Sequence, residues 1–331
     1  MKEELLSYDD ITLIPQYSEV ISRSHVDTGC MFYKYKRRNP IISANMETVT
    51  GENMAISMWK CGGIGALHRF YNSVEKNVSA YKNVISTLHN ESRCDCLVSV
   101  GVGTKSKEAT LDLYKNGARM FIIDIAHGHH LSMKKMIEWM RENFKDDIFI
   151  VAGNVATAEA VKDLESWGAN IIKVGISPGA TCTTRIVTGH GVPQFSALME
   201  CSRVSSVPII GDGGIKNSGD IAKALIYSDY VMLGSVLAGT NESPGEIVNG
   251  RKKHRGSSSY ERAGIAKEGV ETTVPLKGSV TNLIENLVAG LRSGMSYSNS
   301  KDLKSFSARA KWKRQTSHSY FEGTPHIQRG E

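Results

Sequence analysis

A closed parallel (β/α)8 barrel is the fold this sequence predicts, and three observations carry it. Short apolar runs recur at residues 40–44, 63–67, 96–102, 120–126, 148–155, 171–176, 207–211 and 230–236. Each has the length and β-branched content of a strand buried on both faces. Segments of helical period lie between them, at 131–143, 158–167, 194–201 and 220–226 among others. Most of the later runs end in glycine or small polar residues, as strand-to-helix turns require. A doubly wound open sheet is the structural alternative, but no Gly-x-Gly-x-x-Gly follows the first run.

The third observation is where the unusual residues fall. Asn45 to Thr48 follow the first run and His68-Arg69 the second. Asp124 with His127-Gly128-His129 ends the fourth, and Gly153-Asn154 the fifth. Cys182 follows the sixth, Asp212-Gly213-Gly214 the seventh and Gly234-Ser235 the eighth. A barrel places all of these on one rim, at the C-terminal ends of its strands, where chemistry sits in this architecture.

Bulk properties bound the rest. A chain of 331 residues, 40% apolar and 22% charged, fits one barrel domain over 1–331. The net charge of +6 is mild. Basic clusters at 34–38, 251–255 and 309–314 read as solvated surface, so no nucleic-acid partner is expected, while small phosphorylated substrates suit the charge. Cys30, Cys61, Cys94, Cys96, Cys182 and Cys201 show no zinc or redox spacing, and reduced thiols in a cytoplasm are expected. No apolar stretch approaches the ~20 residues of a membrane span. Residues 249–278 lack periodicity at their start and are too long for a simple connection, so a mobile lid is expected. A helix over 280–291 and a polar, partly packed tail over 296–331 follow.

Small-residue pairs after two adjacent predicted strands, Gly213-Gly214 and Gly234-Ser235, match a phosphate cradle of backbone N–H groups. Asp212 is then placed to accept from ribose hydroxyls. Flavin-dependent barrels share this device. Cys182 stands on a Gly- and Thr-rich loop where a thiol is reachable and its thiolate can be stabilised. Thr184, two residues on, needs a carboxylate to relay a proton. Read without further context, Glu268 is an exposed lid charge.

Several blocks resemble the IMP dehydrogenase/GMP reductase family, over roughly residues 8–297. They are Tyr8-Asp9-Asp10-Ile11-Thr12-Leu13-Ile14-Pro15, Pro40-Ile41-Ile42-Ser43-Ala44-Asn45-Met46, Gly153-Asn154-Val155, the cysteine loop Lys173 to Arg185, 211–214 and Val231-Met232-Leu233-Gly234-Ser235. The resemblance implies that Cys182 attacks C2 of a purine nucleotide, with Thr184 and Glu268 as a proton-relay pair. It implies substrate contacts from Ser43, Met46, Asp212, Gly213, Gly214, Gly234, Ser235, Gly256, Ser257 and Ser258. Asp124 would approach the nicotinamide ribose, with Ala126, His127, Gly153 and Asn154 in the cofactor set. Carbonyls of Gly175, Gly179 and Cys182 would offer a monovalent-cation (K+) site.

The branch follows from absences and spacings. No regulatory CBS pair interrupts the chain between His68-Arg69-Phe70 and residues 74–85. Eleven residues separate Gly256 from Glu268, with Tyr260-Glu261-Arg262 in place of the Arg-Tyr pair of the dehydrogenases. Together with Asn45 before Met46 and 123–129, this resembles the reductase branch. The implied reaction is NADPH-dependent reductive deamination of GMP to IMP and ammonia, NADH being left open, in a homotetramer. A dehydrogenase lacking the CBS pair, oxidising IMP with NAD and water to XMP, is the nearest alternative. A flavin barrel and a nucleotide-sensing module are alternatives from other classes. The chain departs from the family pattern at Ser177, at Glu47 and across His254-Arg255-Gly256-Ser257-Ser258.

Overall fold

The computed structural model describes residues 4–89, 94–256 and 266–323. Eight parallel strands close into a barrel: Ile41–Ser43, Ile64–Leu67, Leu97–Val100, Met120–Asp124, Phe149–Val155, Ile171–Val174, Ile209–Asp212 and Tyr230–Leu233. Closure comes from the first and eighth strands, which pair Ile41 with Val231 and Ser43 with Leu233. Consecutive residues such as Phe121, Ile122 and Ile123 are all fully buried. One face of each strand packs inward and the other against helices, which is why the sequence reads as unbroken apolar runs instead of alternation.

The expected runs overshoot the strands at their ends. The fourth strand stops at Asp124 and the eighth at Leu233, because the chain turns there into the rim. The surrounding helices bury one stripe each. In Leu131–Phe144 the buried residues are Met133, Met136, Ile137, Met140 and Phe144, a spacing of three and four. Side-chain N-caps start several of them: Ser73, Thr157, Asn217 and Ser279 accept from backbone N–H groups of the first turn.

The start of the supposed lid is a strand. Arg251–Arg255 pairs with Glu271–Pro275 on one side and Ile247–Val248 on the other, all antiparallel. Its burial alternates, but the inward residues are Lys252 and His254, so no hydrophobic alternation marks it. The Lys252 ammonium is satisfied by the carbonyls of Thr240 (2.7 Å), Asn241 (3.2 Å) and Ser243. We call this three-stranded unit the flap sheet.

The polar tail also builds structure. The helix expected over 280–291 runs as Val280–Tyr297, a short helix covers Leu303–Arg309, and Lys311–Arg314 pairs antiparallel with Ile11–Ile14. Trp312 anchors this pair: its ring meets Phe195 edge-on at 4.9 Å, and its indole N–H donates to the Tyr227 hydroxyl at 3.1 Å. Among the described residues no helix is long and apolar enough to cross a membrane.

Candidate active site

One pocket opens at the C-terminal rim of the barrel. Its lining includes Asn45, Met46, Asp124, Ala126, Asn154, Lys173, Gly175, Gly179, Cys182, Thr184, Asp212, Gly213, Gly256 and Glu268. Most of the residues singled out from sequence therefore converge, from seven different loops and strands. Ser43, Gly153, Gly214, Gly234, Ser235 and His127 lie outside this lining. Ser43 is fully buried in the first strand. Gly153 ends in backbone pairing, its carbonyl accepting from Ile125 N–H at 3.1 Å. His127 stands on the exposed surface; partial burial, then the charges of His129, His130 and His190, hold its pKa below the ordinary value. Ser257 and Ser258 fall outside the described residues, as do Tyr260, Glu261 and Arg262.

Cys182 sits at the barrel–flap seam. Its Sγ lies 3.1 Å from Thr184 Oγ1, and that hydroxyl donates to Glu268 Oε2 at 2.8 Å. Backbone bonds hold the seam: Thr183 N–H donates to Glu268 O at 3.0 Å, and Val270 N–H to Thr181 O at 3.0 Å. Cys182 and Gly269 form an antiparallel bridge. Glu268 is thus no stray lid charge; the chain leading into Glu271–Pro275 delivers it to the cysteine loop. With its own proton directed at Glu268, Thr184 Oγ1 keeps lone pairs toward sulfur, so a thiol proton can pass from Sγ through the hydroxyl to the carboxylate and later return along the same line.

The seventh and eighth strands supply the second feature. They are paired, Asp212 opposite Met232, so the turns beginning at Gly213 and Gly234 are neighbours. Gly213 and Gly214 adopt φ of +100° and +81°, which a side chain would strain, and a Cβ on Gly213 would stand 2.7 Å from Pro178. Among the described residues no backbone acceptor is found for the N–H groups of Gly213, Gly214, Gly234 or Ser235. Four free, closely grouped donors suit an anion. The Tyr8 ring supports Gly214 from below, and Lys223 and Lys216 fix that segment by donating to Tyr8 O and Asp9 Oδ2, both at 2.7 Å. The role of the N-terminal block as a buttress is invisible in sequence.

The third feature is one that sequence reasoning missed. Lys173, on the sixth strand, is 2% exposed and donates to Asp124 Oδ1 at 2.8 Å, to Asp212 Oδ2 at 3.0 Å and to Asn154 Oδ1. Asn154 Nδ2 in turn donates to Asp212 Oδ2 at 2.8 Å and Gly175 O at 2.7 Å. Burial pushes the Asp124 carboxyl up, but the Lys173 charge and hydrogen bond outweigh it and hold the pKa below the ordinary value. Burial likewise disfavours the Lys173 ammonium, and the two carboxylates reverse this, raising its pKa. The only sequence signal was a lysine inside an otherwise apolar run.

The carbonyls considered for a cation are partly engaged. Gly175 O accepts from Asn154 Nδ2 at 2.7 Å and Gly179 O from Cys182 N–H at 3.0 Å. Ser177, where the family usually has glycine, is held at φ +81°. The other two departures meet each other. Arg255 pairs with Glu47, and Thr48 joins the flap strand twice, accepting from Arg255 N–H at 3.0 Å and bonding His254 Nδ1 at 3.2 Å.

The chain is similar to known proteins in both sequence and fold. A family model described as the IMP dehydrogenase / GMP reductase domain matches residues 5–326. A GMP reductase of Lactobacillus johnsonii is 37% identical over 313 residues, covering 91% of this chain and 92% of the relative. One from Streptococcus pyogenes is 38% identical over 310 residues, with the same coverage. A crystal structure of a GMP reductase from Trypanosoma brucei in complex with guanosine 5'-monophosphate matches with a TM-score of 0.90 and 28% identity, over 98% of both chains.

Proposed function

This chain belongs to the IMP dehydrogenase/GMP reductase family, and from that premise we propose that it is a GMP reductase, converting GMP to IMP and ammonia. The observation that carries the proposal is the continuous contact from Cys182 Sγ through Thr184 Oγ1 to Glu268 Oε2. Cys182 gives its thiol proton through Thr184 to Glu268 and, as thiolate, forms a bond to C2 of the purine. The C2–amino bond then breaks, and the leaving nitrogen takes a proton from Thr184, which is resupplied by Glu268. Splitting the substitution at C2 in this way replaces one difficult step by two easier ones.

The donors of Gly213, Gly214, Gly234 and Ser235 support a role in holding the 5'-phosphate, and Asp212 the ribose hydroxyls. Asp124, kept anionic beside Lys173 and open to the same pocket, is the acceptor a second ribose needs, so the residues fit a nicotinamide dinucleotide. When bound in its reduced form, that cofactor supplies the hydride that replaces sulfur at C2, and IMP is released. The balance is GMP, NADPH and two protons to IMP, NADP+ and ammonium. NADPH as the donor, a homotetramer and a cytoplasmic setting are part of this proposal and follow from the motif resemblance. No step requires a cation at Gly175, Gly179 and Cys182.

The experiment follows nicotinamide absorbance in two reactions, GMP with NADPH and IMP with NAD. Loss of absorbance in the first alone, with IMP and ammonia formed in equal amounts, supports the reductase. A gain in the second, with XMP formed, would assign a dehydrogenase and refute the proposal.

A further inference from the structure

We propose that Lys173 is a positioning residue that couples the nucleotide half of the site to the cofactor half. The inference rests on the roles given above to Asp212 and Asp124. These two carboxylates are assigned to different ligands, and 88 residues separate them in sequence. Yet both lean on the same ammonium, at 3.0 and 2.8 Å. Asn154 closes the figure, accepting from Lys173 and donating to Asp212.

The cluster holds two negative charges and one positive, nearly out of water: Lys173 is 2% exposed, and the Asp124 and Asp212 side chains 14% and 21%. At such burial each carboxylate depends on the shared cation far more than it would on the surface. A ribose diol donating to Asp212 satisfies part of that carboxylate's charge and relaxes its demand on Lys173. The ammonium then sits more firmly on Asp124 and fixes the acceptor offered to the second ribose. By linkage the effect is reciprocal: a ligand on Asp124 must favour the ligand on Asp212 by the same factor. A surface lysine of equal charge could not do this, since solvent would screen it.

The test measures binding, in a Cys182→Ala background so that GMP and NADPH can occupy the site together without turnover. NADPH affinity is read from its fluorescence, without GMP and with saturating GMP. The parent is expected to bind NADPH about 5-fold or more tightly when GMP is present. Lys173→Gln should bring that ratio to within about 2-fold of unity, and Lys173→Arg, which keeps the charge, should restore part of it. Lys173→Gln removes the ammonium shared by both carboxylates, leaving Asp124 only the Arg69 charge and the Asn45 hydrogen bond, and can unfold the chain. The double variant Asp124→Asn/Lys173→Gln therefore accompanies it, preserving the net charge of the cluster; its ratio should also approach unity. Circular dichroism and melting establish that each variant is folded. A folded Lys173→Gln or double variant that keeps the parent's ratio overturns the proposal and leaves Lys173 a purely structural ion. So does a parent that binds both ligands with no coupling. A parent that binds neither GMP nor NADPH refutes the functional reading instead.

Discussion

Two clusters share one pocket and are built differently. Lys173, Asp124, Asn154 and Asp212 are all carried by barrel strands, and their hydrogen bonds run between side chains in the barrel mouth. Cys182 and Glu268 are carried by loops and Thr184 by the first residue of the short helix Thr184–Thr188; all three are half-buried, and they meet across a seam between barrel and flap sheet. The first cluster persists wherever the barrel is folded. The second needs the segment leading into the flap strand Glu271–Pro275 to deliver Glu268 to Thr184. On the proposed roles, recognition of the two riboses falls to strand residues, and bond making and breaking to the junction between barrel and flap sheet.

Substitutions at the seam should separate chemistry from binding. The largest effect belongs to Cys182→Ala, which removes the atom that bonds to C2. Turnover should fall by at least about 10^3-fold, with GMP affinity, measured by calorimetry, changed only a few-fold. Glu268→Gln comes next: it keeps the shape and the hydrogen bond but cannot donate a carboxyl proton. Release of ammonia in a single turnover should slow by about 10^2- to 10^4-fold, again with GMP binding kept. Weakened GMP binding in proportion to the rate loss would erase the contrast between the two clusters.

The barrel side is broken by backbone instead. Gly175 has φ +154°, and a Cβ there would stand 1.9 Å from Asp212 O. Gly175→Ala must displace the end of the seventh strand and with it Asp212. We expect a loss of roughly 2–4 kcal/mol in stability, read as a lower melting temperature, together with weakened GMP affinity. An unchanged melting temperature would show that the strand ends are far more yielding than the comparison requires.

The smallest effect sharpens the comparison through pH. Burial, then the charge of Lys277, hold His254 at the flap root down at about 4. The unfolded chain takes up this proton near pH 6.5, before the native state does, so stability is lost as pH falls from about 6.5 toward 4. Asp95 at the base of the barrel has the opposite sign. Burial pushes its carboxyl up to about 7, so the native state binds the proton more tightly and its contribution declines as pH rises from about 4 to 7. His254→Asn, which retains an acceptor for Thr48, should reduce the loss between pH 6.5 and 5 by up to about 2 kcal/mol in denaturant unfolding. An identical pH slope in wild type and variant would exclude His254 from the flap's response; His68, also held at about 4 by burial, is the control.

Much of this was legible in sequence, unevenly. All eight barrel strands were, because strands buried on both faces leave continuous apolar runs. Cys182, Asp212 and the small-residue pairs were, because loops at strand ends carry residues that packing does not demand. The flap strand Arg251–Arg255 was not, since its inward residues are Lys252 and His254, satisfied by carbonyls and by Thr48 instead of by apolar neighbours. Glu268 gained a role only through resemblance to the family: nothing local marks a carboxylate whose partner lies 84 residues away. Lys173 gained none. A lysine in an apolar strand reads as a blemish until the barrel brings Asp124 and Asp212 to it.

The measurement that tests the account most directly is an acid quench of one turnover, with GMP and NADPH mixed with excess enzyme and the protein analysed by mass. A transient purine adduct on the peptide carrying Cys182, rising before IMP appears and accumulating more slowly in Glu268→Gln, is the predicted result. IMP formed at the wild-type rate by Cys182→Ala, with no adduct at any time, would contradict it.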